Sequence, residues 1–149
     1  MEEHLRVIRR QFEKDAYARS LGIVLDTLTD TTIQMHMQLK EDMLNMYGRP
    51  HGGIVYSLAD VAFSVLGNNS NNISVGLDCS ITYHASPDPG TTLIVEGEIL
   101  SQTKRTASFL FTISMEKDGV RTLIATMKSV SYRTGRPIDP TMGREDDSS

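Results

Sequence analysis

The chain has 149 residues, 39% of them hydrophobic and 23% charged, which fits one globular domain with a single core. Its net charge is −4, but Glu145, Asp146 and Asp147 contribute three of the acids, so the rest carries only −1 and lacks the basic field that nucleic-acid binding requires. Cys79 is the only cysteine, which excludes an intrachain disulfide and suits a reducing compartment. No apolar run approaches the roughly 20 residues of a membrane span, and the charged start MEEHLRVIRRQ is unlike a signal peptide; the expectation is a cytoplasmic protein.

Leu5, Ile8, Phe12 and Ala16 recur at helical spacing and predict a helix over 3–19, ended at Leu21-Gly22 by a residue suited to a C-terminal cap. Strands follow at 22–28 and 32–40. In the second, Ile33, Met35, Met37 and Leu39 alternate with polar residues, the period of a half-buried strand. Thr29-Asp30-Thr31 supplies the turn between them, and 41–50 reads as a loop. A second helix is predicted from Gly53 to about Leu66, with Val55, Leu58, Ala59, Ala62 and Leu66 along one stripe. Gly53, Ser57, Asp60 and Ser64 form a narrow small-or-polar stripe opposite. A helix this apolar is normally enclosed.

Segment 73–84 alternates strictly, which predicts one face bearing Ile73, Val75, Leu77, Cys79, Ile81 and Tyr83. Strands at 92–100, 106–117 and 120–132 complete the pattern. Gly97 is read as a bulge and Asp118-Gly119 as a tight hairpin. The expected organisation is an N-terminal helix over 1–20, a body over 21–133 and a flexible acidic tail over 134–149. One hydrophobic helix with five or six antiparallel strands is an α+β solution in which a sheet curls around the helix.

Asp60 is the only charged residue between Arg49 and Asp78. A lone carboxylate in so apolar a stretch is expected to be buried or half-buried, at a cost of several kcal/mol if unpaired. It follows the run Asn45-x-x-Gly48-x-x-His51-Gly52-Gly53. Paired glycines at a helix start leave the backbone open to close approach. Free N–H groups there favour negative charge and could stabilise an oxyanion. The competing reading of the glycines alone is a tight turn into a crowded sheet. Asp60 lies eight residues after Gly52, about 12 Å along a helix axis, too far for both to serve one carbonyl. Two antiparallel helices from two subunits could bring them together, so the chemistry predicts a dimer.

The other candidates are weaker. His36 and His84 read as surface or structural, Cys79 as buried. The four histidines lack metal-ligand spacing, and no nucleophile elbow, phosphate loop or dinucleotide fingerprint occurs. Lys104-Arg105 could hold a phosphate, though an exposed hairpin end is the better explanation from the residues alone.

The stretches NMYGRPHGGIVYSLADVAFSVLGNN and VGLDCSITYHASPDPGTTLIVEGEIL resemble the signature of hotdog-fold acyl-CoA thioesterases of the phenylacetate-degradation type, a similarity running over about 20–132. The resemblance implies a hotdog fold, a homodimer joined edge to edge and often a homotetramer. It also implies hydrolysis of an acyl-CoA, small to medium or aryl-acetyl, at the subunit interface. CoA is then part of the substrate, and no separate cofactor is expected. Carried over by position, Asp60 is the catalytic carboxylate, as base or nucleophile, and Gly52 gives the oxyanion-hole amide. Asn45 and His51 line the site beside Gly53. Related enzymes often place Ser or Thr on the following strand, where this chain has Gly76, with Ser74 on the same face. Lys104 and Arg105, with Arg133 a further option, are the expected contacts to the CoA phosphates. The Gly76 departure keeps open a module that binds acyl-CoA or lipid without hydrolysing it.

Overall fold

A computed structural model describes residues 2–142. In chain order the elements are α1 (Glu3–Phe12), α2 (Ala16–Ser20), β1 (Val24–Leu28), β2 (Thr32–Gln38), α3 (Gly52–Leu66), β3 (Ser74–Tyr83), β4 (Thr92–Gln102), β5 (Thr106–Lys117) and β6 (Val120–Arg133). The strands form one sheet in the order β1-β2-β4-β5-β6-β3, with every neighbouring pair antiparallel. The chain leaves α3 for the far edge of the sheet, lays down β3, and returns to the middle as β4.

α3 packs on this sheet because its apolar stripe has nowhere else to go. Val55, Leu58, Ala62 and Leu66 are at most 1% exposed. Phe63 meets Phe109 edge-on at 5.2 Å between ring centres, the arrangement aromatic pairs prefer. The β5–β6 hairpin turns where expected: Asp118 and Gly119 both have positive φ, as a two-residue type I′ turn demands.

Four expectations from the sequence change. The predicted helix over 3–19 is two helices, because the Asp15 side chain accepts the Ala18 N–H at 2.9 Å and caps a new start, a bond an aspartate at that position makes readily. Gly97 is not a bulge: it pairs in register with both Ile33 and Phe111, and the Phe111 ring occupies the space where its β-carbon would stand. The irregularity of β4 lies instead between Ile99 and Ser101.

β3 does not keep one apolar face. Leu77 is an extra residue between the pairs Gly76–Ser131 and Asp78–Val130, a bulge that resets the alternation. A β-carbon on Gly76 would meet Phe63 of α3, and Cys79 bonds Tyr56 of the same helix. Ser74, Gly76, Cys79, Ile81 and Tyr83 therefore share the helix side, and Val75 faces away.

Residues 134–142 are not a frayed end. Asn71 takes the Asp139 N–H on its side-chain oxygen and donates to the Asp139 and Met142 carbonyls, while Ile73 exchanges backbone bonds with Thr134 and Arg136. The acids Glu145, Asp146 and Asp147 lie outside the described residues.

Candidate active site

The loop before α3 is folded by Asn45. Its side-chain oxygen accepts the Tyr47 and Arg49 N–H groups at 2.9 and 3.2 Å, and Leu44 bridges Pro50. The oxygen of Asn45 is thus committed to the turn, which leaves its amide nitrogen as the group a ligand could use. The loop delivers His51 to the start of α3, where Nδ1 accepts the Gly53 N–H at 3.0 Å. That bond requires Nδ1 to be unprotonated. A β-carbon on Gly53 would sit 3.2 Å from Nδ1, so Gly53 is the residue that lets this cap close.

With the Gly53 N–H taken, the Gly52 N–H has no hydrogen-bond partner among the described residues. Tyr83 reaches from β3 and donates its hydroxyl to the Gly52 carbonyl at 2.8 Å, which holds the first turn while the amide stays open. An added β-carbon at Gly52 would meet the Tyr83 ring only at ordinary contact distance, 3.5 Å. Packing within the chain therefore does not demand glycine here.

Asp60 is open to solvent on the single chain and has no ion-pair or hydrogen-bond partner among the described residues. Its pKa is nevertheless raised, first by loss of solvation and then by the negative charge of Asp15. The two observations fit a carboxyl group that solvent reaches from one side while protein crowds it from the other. Tyr56, one helical turn earlier, donates to Cys79 on β3; that bond and burial push the tyrosine pKa up to about 12. Burial pushes the Cys79 thiol up as well, so both remain protonated neighbours of Asp60 rather than nucleophiles.

On the other flank Ser57 donates to the Gly53 carbonyl at 2.8 Å and accepts the Tyr17 hydroxyl at 2.7 Å, tying α2 along the helix. Neither Tyr17 nor Tyr83 stood out as a site residue from the chain alone, because each joins α3 only through tertiary contact.

Asp60 and Gly52 share α3 and are separated by about 12 Å along its axis. Gly76 stands where a hydroxyl was expected because Phe63 fills that space, 3.0 Å from the position of an added β-carbon. The Ser74 hydroxyl is buried and has no partner among the described residues. Lys104 and Arg105 are exposed in the β4–β5 turn. That turn is anchored by Arg133, which donates to the Thr103 carbonyl and to Ser70, beyond the C-terminal end of α3 and far from Gly52 of the same chain. Arg133 is only 5% exposed, so it is a structural tie and not a phosphate contact. His36 pairs with Asp26 and His84 with Thr126.

The Thioesterase superfamily model matches residues 47–122, a span holding His51, Gly52, Gly53, Asp60, Gly76 and both strands after them. A protein of Archaeoglobus fulgidus is 32% identical over 91% of this chain and 86% of its own length. The acyl-coenzyme A thioesterase PaaI of Escherichia coli is 29% identical over 85% of this chain and 89% of its own. The solved structure of E. coli PaaI superposes with a TM-score of 0.84 at 26% identity, covering 90% of this chain and 95% of that one. The six-stranded antiparallel sheet against a single long helix is thus the hotdog fold, and the chain belongs to the thioesterase superfamily, as a protein of the PaaI type.

Proposed function

We propose that this protein hydrolyses acyl-CoA thioesters to the free acid and CoA at a site completed by two copies of the chain. One observation carries the reading: α3 presents two unpaired groups of opposite use, a carboxylate at Asp60 and an open amide at Gly52, too far apart to meet one carbonyl. A twofold axis that sets two α3 helices antiparallel puts the Asp60 of each beside the Gly52 of the other. The β3 edge supports that arrangement, since Val75, Leu77 and Tyr83 stand 49%, 60% and 48% exposed there on a strand unpaired on one side. A homodimer, and a homotetramer built from it, follow as the expected assembly.

In this mechanism the Gly52 N–H binds the thioester oxygen as it gains charge. Asp60 activates water or attacks the carbonyl carbon, and the thiolate of CoA leaves. The raised pKa of Asp60 makes its ionised form a stronger base. His51 holds Gly53 and the first turn in place, and Asn45 shapes the loop and offers its amide nitrogen. Lys104 and Arg105 are proposed to bind the CoA phosphates of a substrate seated across the two subunits.

No helix among the described residues is long and apolar enough to cross a membrane, and we place the reaction in the cytoplasm.

The test is release of free thiol from a panel of acyl-CoA substrates, aryl-acetyl types included, by wild type and by the pair Lys104→Ala with Arg105→Ala. Wild type should release CoA. The double variant should raise KM more than it lowers kcat, and unchanged kinetics would remove those residues from the site. The closure of the Gly76 position by Phe63 favours one second reading, an acyl-CoA-binding module without hydrolysis. Saturable binding with no thiol released would select it.

A further inference from the structure

We infer that the apolar acyl group of the substrate is held in a pocket between α1, the C-terminal half of α3 and the returning chain after β6. The inference rests on Asp60 being the carboxylate that meets the thioester. The cavity measures ≈ 340 Å³, at the small end of the roughly 300–1,000 Å³ of ligand pockets, which suits one end of a substrate rather than all of it. Ile8 and Phe12 of α1, Val65 of α3, Ile73 and Ile138 give it an apolar lining.

The Ser64 and Asp15 side of the pocket, toward Asp60, is taken as its mouth. Ser64, on the lining, stands one turn further along the same exposed face of α3, about 6 Å up the axis. Asp15, also on the lining, is near enough for its charge to act on Asp60. The polar groups of α3 and of the turn after it in the wall are already bonded: Ser64 donates to the Val61 carbonyl, and Asn68 bridges the Ser64 carbonyl and the Ser74 N–H. They ask nothing of an occupant. Among the described residues Asp15 is the only charged one lining the pocket, and no Lys, Arg or His does so. A phosphate-bearing CoA arm is therefore disfavoured, and an uncharged acyl tail is favoured. A separate groove of ≈ 350 Å³ lies at the other end of α3, with Tyr17, Asp42, His51 and Gly53 on its walls.

Ile8, Phe12 and Ile138 lie outside the span that the family model matches. The flanking segments, rather than the shared body, would then set acyl preference, toward medium-chain or aryl-acetyl thioesters over acetyl. The experiment compares kcat/KM for octanoyl-CoA, phenylacetyl-CoA and acetyl-CoA in wild type, Ser64→Phe and Ile138→Ala. Ser64→Phe narrows the mouth and should lower the octanoyl-to-acetyl ratio at least about tenfold, the scale of losing a few methylenes of apolar contact. Ile138→Ala enlarges the floor and should move the preference toward longer chains. Folded variants whose ratios match wild type would overturn the inference. If wild type releases no thiol from any substrate, the hydrolase reading fails by itself. The pocket is then scored by binding of the octanoyl thioether of CoA against CoA alone: Ser64→Phe must lower that affinity ratio, and an unaltered ratio overturns the pocket too.

Discussion

The two faces of α3 obey different rules. The inner face carries Val55, Leu58, Ala62 and Leu66, all but sealed from solvent, and every one is explained by the sheet it touches. The outer face carries Gly52, Gly53, Tyr56, Asp60 and Ser64, none of them fully buried. The fold would be content with other residues at several of these positions. At Gly52 there is room for a side chain, and Asp60 sits without a partner among the described residues, at a raised pKa. Packing accounts for the inner-face residues; for the outer-face residues the proposed reaction supplies the reason that packing does not.

Substitutions on the two faces should therefore separate rate from stability. The largest effect is expected at Asp60→Asn, which should lower kcat by about 10²–10⁴, the range for loss of a positioned acid–base group, in a thiol-release assay. The same variant should melt higher than wild type at neutral pH. The folded-state pKa of Asp60 is raised, so its contribution is fully present below the unfolded pKa and is lost as pH rises through the folded one. Asparagine escapes that loss. The gain in melting temperature should disappear in acid, where both side chains are neutral; a variant that melts lower at pH 7 would contradict the exposed, unpaired setting.

Leu58→Ala, on the inner face, should do the reverse. It should cost about 2–5 kcal/mol of stability by denaturant titration, while kcat/KM per folded molecule stays near wild type. Gly52→Ala should leave melting unchanged, since the Tyr83 ring accepts the methyl group, yet reduce kcat/KM by about tenfold to a hundredfold through misplacement of the bound thioester. A purely structural glycine would show the opposite pattern. The smallest effect is expected at Asp15→Asn. Removing a charge that raises the Asp60 pKa should move the acid limb of the kcat/KM pH profile to lower pH, with little change on its plateau. An unmoved limb would mean that Asp60 is not the group being titrated.

Most of the inner face could be read from the chain, because burial writes a period into the sequence. The stripe from Val55 to Leu66, the alternation in β2 and the Asp118-Gly119 turn all follow from local rules. The candidate site was legible in part for a different reason: one charge in an apolar run is conspicuous, and helix arithmetic alone separates Asp60 from Gly52. What escaped was decided by contacts distant in sequence. Gly97 yields to the Phe111 ring and Gly76 to Phe63. Tyr17 and Tyr83 brace α3 from positions 40 and 31 residues away from their partners, and Asn71 pins residues that look like a free tail. The break at Asp15 is local but was hidden by an unbroken apolar period around it.

The bulge at Leu77 has a consequence for company rather than for chemistry. A long, straight, unpaired strand invites any exposed strand to add to it, which is how sheets aggregate. β3 is ten residues long and unpaired on one side, yet it is bent by one residue that the ladder does not count. A straight strand cannot follow it through the bend. The strand certain to carry a matching bend is β3 of another copy, so a single supernumerary leucine can make an inviting edge a discriminating one.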